Sequence, residues 1–93
     1  MKLIKLTWYD IQWTADWKKL NIKSEPKHTY LNIDLLGSVS AEPAVAYKGD
    51  ATENLYFIRT LVARGCGING VDYNSYYVTE ETYNRIMTLI DTL

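Results

Sequence analysis

The residues able to do chemistry in this chain of 93 are few and scattered. Cys66 and His28 are its only cysteine and its only histidine. A thiol beside an imidazole makes a nucleophile with its base, and the two need to be adjacent only in space. A lone thiol in a small domain is more commonly a packing residue, so no catalytic set is expected. One Cys and one His also cannot complete a Cys/His zinc site within a single chain, and no metal or cofactor is expected. The carboxylates Asp10, Asp16, Asp34, Asp50, Asp72 and Asp91 contain no pair whose spacing singles it out for acid and base work. Gly65-Cys66-Gly67-Ile68-Asn69-Gly70 has the look of a phosphate cradle, but such cradles follow a strand and open onto a helix N-terminus. Here the glycines follow a helical pattern, where a C-cap and a tight turn explain them.

Two constellations suit binding rather than catalysis. Lys18, Lys19, Lys23 and Lys27 flank Trp13 and Trp17, the mixture of cations and indoles that holds single-stranded nucleic acid by phosphate contacts and stacking. Against that reading, indoles in so small a domain are needed for its core, with the lysines merely solvated. Tyr73-Asn74-Ser75-Tyr76-Tyr77 combines large contact area at low rotamer entropy with adaptable hydrogen bonds, as in antibody paratopes. The plain alternative is a β-strand with half-buried tyrosines. On a strand, Tyr73, Ser75 and Tyr77 share one face and Tyr76 and Val78 the other.

The elements that must position these residues follow from periodicity. Lys2 to Tyr9 alternates, with Ile4, Leu6 and Trp8 on one face, as a half-buried strand does. From Asp10 to Leu20 two readings compete: Trp13, Trp17 and Leu20 repeat at helical spacing, whereas Ile11 and Trp13 also extend the strand. The helical spacing favours a short helix near 14–20. Ser24, Glu25 and Pro26 mark a connection. His28 to Leu36 alternates again and predicts a second strand. Ser38 to Pro43 reads as a loop and Ala44 to Lys48 as a short strand. Asp50 with Glu53 comes close to a capping box, and Leu55, Ile58, Leu61 and Val62 then predict a helix over 51–64. Val71 to Val78 reads as a strand. Thr79 caps a final helix over 80–92, with Glu80 and Glu81 in its first turn and Tyr83, Ile86, Met87, Ile90 and Leu93 on its apolar stripe.

The expected fold is therefore one small α+β domain over residues 1–93, a mainly antiparallel sheet of three to four strands packed by the helices over 51–64 and 80–92, plus the short helix near 14–20. Its length is too small for two independent cores. With 47% apolar and 23% charged residues it should fold rather than stay disordered. No run approaches the roughly 18 apolar residues of a membrane span, and Lys5 interrupts any signal-like start. The single cysteine favours the cytoplasm. The net charge of −1 lacks the basic excess of a dedicated duplex binder. It conceals an asymmetry: residues 1–27 hold six lysines against three acids, and residues 28–93 hold four basic and eight acidic residues.

These features favour a small non-enzymatic module that binds a partner protein through Tyr73, Asn74, Tyr76 and Tyr77 and acts by occluding it. Compact inhibitors from phages and other mobile elements, including anti-CRISPR and anti-restriction proteins, share this profile by analogy of size and composition. The alternative is a nucleic-acid-binding domain using Trp13, Trp17, Lys18, Lys19 and Lys23. A third class is a subunit of a small dimeric enzyme with its site between copies, and an exposed strand or tyrosine patch offers a way to pair two copies. Exposure separates the first two: buried tryptophans with exposed tyrosines favour a protein partner, and the reverse favours nucleic acid.

Overall fold

Strands whose residues alternate between two covered faces dominate the chain. The computed structural model describes residues 3–63 and 71–92. In order come β1 (Leu3–Tyr9), β2 (Ile11–Trp13), β3 (Leu20–Ile22), β4 (Lys27–Asn32), a 3-10 turn at Ile33–Leu35, β5 (Leu36–Val39), β6 (Ala44–Lys48), β7 (Ala51–Ala63), β8 (Val71–Thr79) and α1 (Glu80–Asp91). Seven strands run side by side in the order β2-β3-β6-β7-β8-β1-β4, while β5 pairs with β7 outside that path. The sheet curls into a half-barrel. It is mixed, because β3 and β6 run parallel and the other pairs antiparallel.

Each face of the sheet carries its own core. On one side Ile4, Leu6, Leu31, Ile33, Ile58, Val78 and Ile86 form a cluster roofed by α1. On the other, Tyr9, Leu20, Ile22, Ala46 and Leu55 pack together. The long strand β7 supplies Ile58 to the first and Leu55 to the second, and both side chains are fully buried. The helix α1 stands where its stripe puts it. Thr79 caps it by accepting from the Thr82 amide at 3.3 Å, and the buried Thr82 hydroxyl accepts from the Thr7 amide at 3.1 Å, fastening the helix start to β1. Tyr83 stacks on Tyr56 with ring centroids 3.7 Å apart.

The architecture of three to four strands with two packed helices is overturned: the described residues are mostly strand, with one α-helix among them, at the C-terminal end. The stretch 51–64 is expected to be helical, yet Ala51–Ala63 is β7. Leu55 and Ile58 stand three residues apart because they point to opposite covered faces, and a strand buried on both sides loses the clean alternation that identifies it. Asp50 is no helix cap. Gly49 and Asp50 form the two-residue link of a β6–β7 hairpin in which Lys48 pairs Ala51, and Gly49 has the positive φ of 62° that such tight turns require of their first central residue. The short helix near 14–20 is absent as well, because residues 14–19 connect β2 to β3 and Leu20 opens β3. The second strand ends early, at Asn32, whose side chain accepts from the Asp34 amide at 3.1 Å and starts the 3-10 turn. The glycine turn 65–70, and Cys66 with it, lies outside the described residues.

Since β7 serves both cores, Leu55→Ala and Ile58→Ala should each lower stability by about 2–5 kcal/mol in chemical denaturation, the cost of truncating a buried aliphatic side chain. A loss below about 1 kcal/mol at either position contradicts the two-faced burial of this strand.

Candidate functional site

The β2–β3 hairpin is built by its polar side chains. Trp13 pairs Leu20 across it, and beyond that pair the Thr14 amide donates to the Lys19 carbonyl at 2.9 Å. The Trp17 amide donates to the Thr14 carbonyl at 2.9 Å, closing the loop. Thr14 also donates its hydroxyl to the Asp16 carboxylate and accepts from the Lys19 amide at 3.2 Å, while Asp16 accepts from the Lys18 amide at 3.1 Å. These two donors hold the Asp16 carboxyl below its ordinary range, so it stays charged at neutral pH. Short polar side chains that bond neighbouring backbone favour such a turn over a helix.

At the tip of this loop stands Trp17. Its φ is 60°, in the left-handed region that costs a residue other than glycine about 1–2 kcal/mol. It is also 74% exposed, the most exposed of the large apolar side chains described. Trp13 is 36% exposed and lies 6.3 Å from Trp17 between ring centroids, tilted by 39°. Of the three residues in the expected helical stripe, only Leu20 is core. The tryptophans are thus a paired apolar surface on a hydrogen-bonded turn.

On the opposite face of the loop from Trp13 lies a cleft of about 580 Å³ lined by Thr14, Ala15, Asp16, Lys18, Lys19 and Tyr47. The Lys19 ammonium rests over the Tyr47 ring, 4.2 Å from its centroid. The Lys18 side chain is exposed and makes no ion pair among the described residues. The structure therefore brings together Trp13, Trp17, Lys18 and Lys19. It leaves Lys23 apart, three residues beyond Leu20 or about 10 Å farther along the hairpin, where its amide donates to the Asp10 carbonyl at 2.8 Å. Sequence reasoning misses Tyr47. Alternation along Ala44–Lys48 sets Val45 and Tyr47 against Ala44 and Ala46, but the parallel pairing of Asn21 with Tyr47 is a non-local contact that no local pattern announces.

The hairpin is anchored below by the second core through Leu20 and Ile22. Next to them Tyr9 donates to Glu53 at 3.4 Å, and burial together with that carboxylate raises the phenol above its ordinary value.

The tyrosine segment is placed differently. Tyr76 packs on the first core with its ring 5.1 Å from Trp8, and Tyr77 on the second with its ring 5.2 Å from Phe57. Both are half-buried, on opposite faces, and only Asn74 and Ser75 are exposed beside them. The Tyr73 side chain lies outside those described. His28 is exposed, with Nδ1 3.1 Å from the Thr7 hydroxyl.

The chain matches no model of a protein family, no curated protein and no solved structure. No helix among the described residues is long and apolar enough to cross a membrane.

Because Trp17 packs little and holds a glycine-like backbone, Trp17→Gly should leave stability within about 1 kcal/mol of the wild type in urea denaturation, the relieved φ offsetting the extra freedom of the unfolded chain. A loss above about 2 kcal/mol contradicts the solvent-facing placement of this indole.

Proposed function

We propose that the chain is a non-enzymatic binding module of the cytoplasm and that the hairpin tip binds single-stranded nucleic acid. The observation that carries this reading is the exposure of Trp17 and Trp13 beside Lys18 and Lys19. Indoles offer every base a face to stack on, and ammonium groups neutralise phosphates, a combination that binds without reading sequence. Holding a large apolar ring in solvent on a left-handed backbone works against stability, which favours a binding role for Trp17 over a structural one.

An inhibitor that occludes a partner protein is the second reading, and one observation supports it: exposed tryptophans are also favoured anchors of protein interfaces. Its contact is then the same hairpin rather than Tyr73, Asn74, Tyr76 and Tyr77, since Tyr76 and Tyr77 are largely spent on the two cores.

Fluorescence anisotropy of a labelled oligothymidine of about 12 nucleotides, at roughly 50 mM salt, tests the nucleic-acid reading. Trp17→Ala should weaken binding by about 1–3 kcal/mol, the worth of one stacked base, and Tyr76→Phe should leave it unchanged. Binding that persists in the Trp13→Ala/Trp17→Ala double variant, or absence of binding by the wild type, overturns it.

A further inference from the structure

The cleft on the other side of the loop has a composition that the indoles do not explain. Register places Trp13 with Leu20 on the face of the second core. Lys19, one residue earlier, turns to the opposite face, where Tyr47 pairs beside Asn21. The cleft there is lined by two lysines and one aspartate, and its charge comes to +1. Asp16 turns its carboxylate onto Thr14 and the Lys18 amide, leaving both ammonium groups available to an incoming anion. Lys19 is not loose: the Tyr47 ring beneath it holds its ammonium over the cleft and keeps its donors for a ligand, because a π-face accepts no conventional hydrogen bond.

We propose that this cleft is a phosphate subsite, with Lys18 and Lys19 as the binding groups and Tyr47 as the residue that positions Lys19. The inference rests on the nucleic-acid reading of the hairpin and deepens it. A strand whose base stacks on Trp17 and whose neighbouring phosphate enters the cleft must fold over a loop of a few residues. A single strand does so easily, whereas duplex DNA, with a persistence length of about 150 base pairs, does not. The subsite therefore selects single strands by geometry and needs no contact with base edges.

The test is the salt dependence of oligothymidine binding by the full-length chain. For single strands the slope of log K against log salt is about −0.7 for each phosphate neutralised. Tyr47→Leu should weaken binding about two- to fivefold and make the slope shallower, toward the value of Lys19→Gln, whose slope should be shallower by about 0.7; Tyr47→Phe should restore wild-type behaviour. Asp16→Asn keeps the acceptor that Thr14 and Lys18 use and removes the opposing charge, so it should tighten binding about fivefold. An unchanged slope in both Tyr47→Leu and Lys19→Gln, or unchanged affinity in Asp16→Asn, overturns the phosphate subsite while leaving the stacking surface intact. Failure of the wild-type chain to bind any oligothymidine overturns the hairpin reading itself, and the subsite with it.

Discussion

The structure depends on one strand being covered on both sides. β7 runs for 13 residues, with β6 and β5 sharing one edge and β8 along the other. Ile58 points into the cluster under α1 and Leu55 into the cluster with Tyr9, Leu20, Ile22 and Ala46. A domain this small has little apolar side chain to divide, and splitting it over two faces works because a single strand serves both. Buried Thr60 obeys the same demand: its hydroxyl donates to the Asn74 carbonyl at 3.4 Å, so the polar group is not left without a partner.

The second core has a consequence for the periphery. β2 and β3 are only three residues each, too short to persist as an isolated hairpin, and they are held because Leu20 and Ile22 reach inward to Ala46, Tyr9 and Leu55. What lies beyond Trp13 and Leu20 is released from packing. The loop there keeps its shape by internal hydrogen bonds among Thr14, Asp16, Lys18 and Lys19, which allows it to present indoles and cations to solvent without collapsing. Charge follows the same division. The lysine-rich first 27 residues contain the hairpin, and the acidic remainder contains β7, β8 and α1; at the tip itself Lys18 and Lys19 stand against Asp16, a local charge of +1.

What was legible in the sequence was local and singly faced. β1 alternates from Leu3 to Leu6 because only one of its faces is buried there, and α1 shows its stripe because one side packs on the sheet. β7 was not legible, since a strand buried on both faces carries apolar residues at spacings that also suit a helix, and Asp50 with Glu53 imitated a capping box. The decisive signal was Gly49-Asp50 between two runs of strand-forming residues, a hairpin turn pattern. At the candidate site, residue type alone singles out Trp13, Trp17, Lys18 and Lys19, while the stripe of Trp13, Trp17 and Leu20 suggests a helix that the Thr14–Asp16 turn replaces. Tyr47 comes to the loop only through a parallel pairing of distant segments, and the half-burial of Tyr76 and Tyr77 follows from two cores that no single window reveals.

The three indole N–H groups report separately on the core and the hairpin tip. That of Trp8 donates to the Thr29 hydroxyl at 3.1 Å beneath the helix-side core, whereas Trp13 and Trp17 stand at the hairpin tip. Oligothymidine binding at the hairpin tip is read by titrating the oligonucleotide into isotope-labelled protein and following the three indole resonances by NMR. The Trp13 and Trp17 resonances should move together, saturably, while that of Trp8 stays in place. Movement of the Trp8 resonance alone, or of none of the three, would contradict binding at the tip.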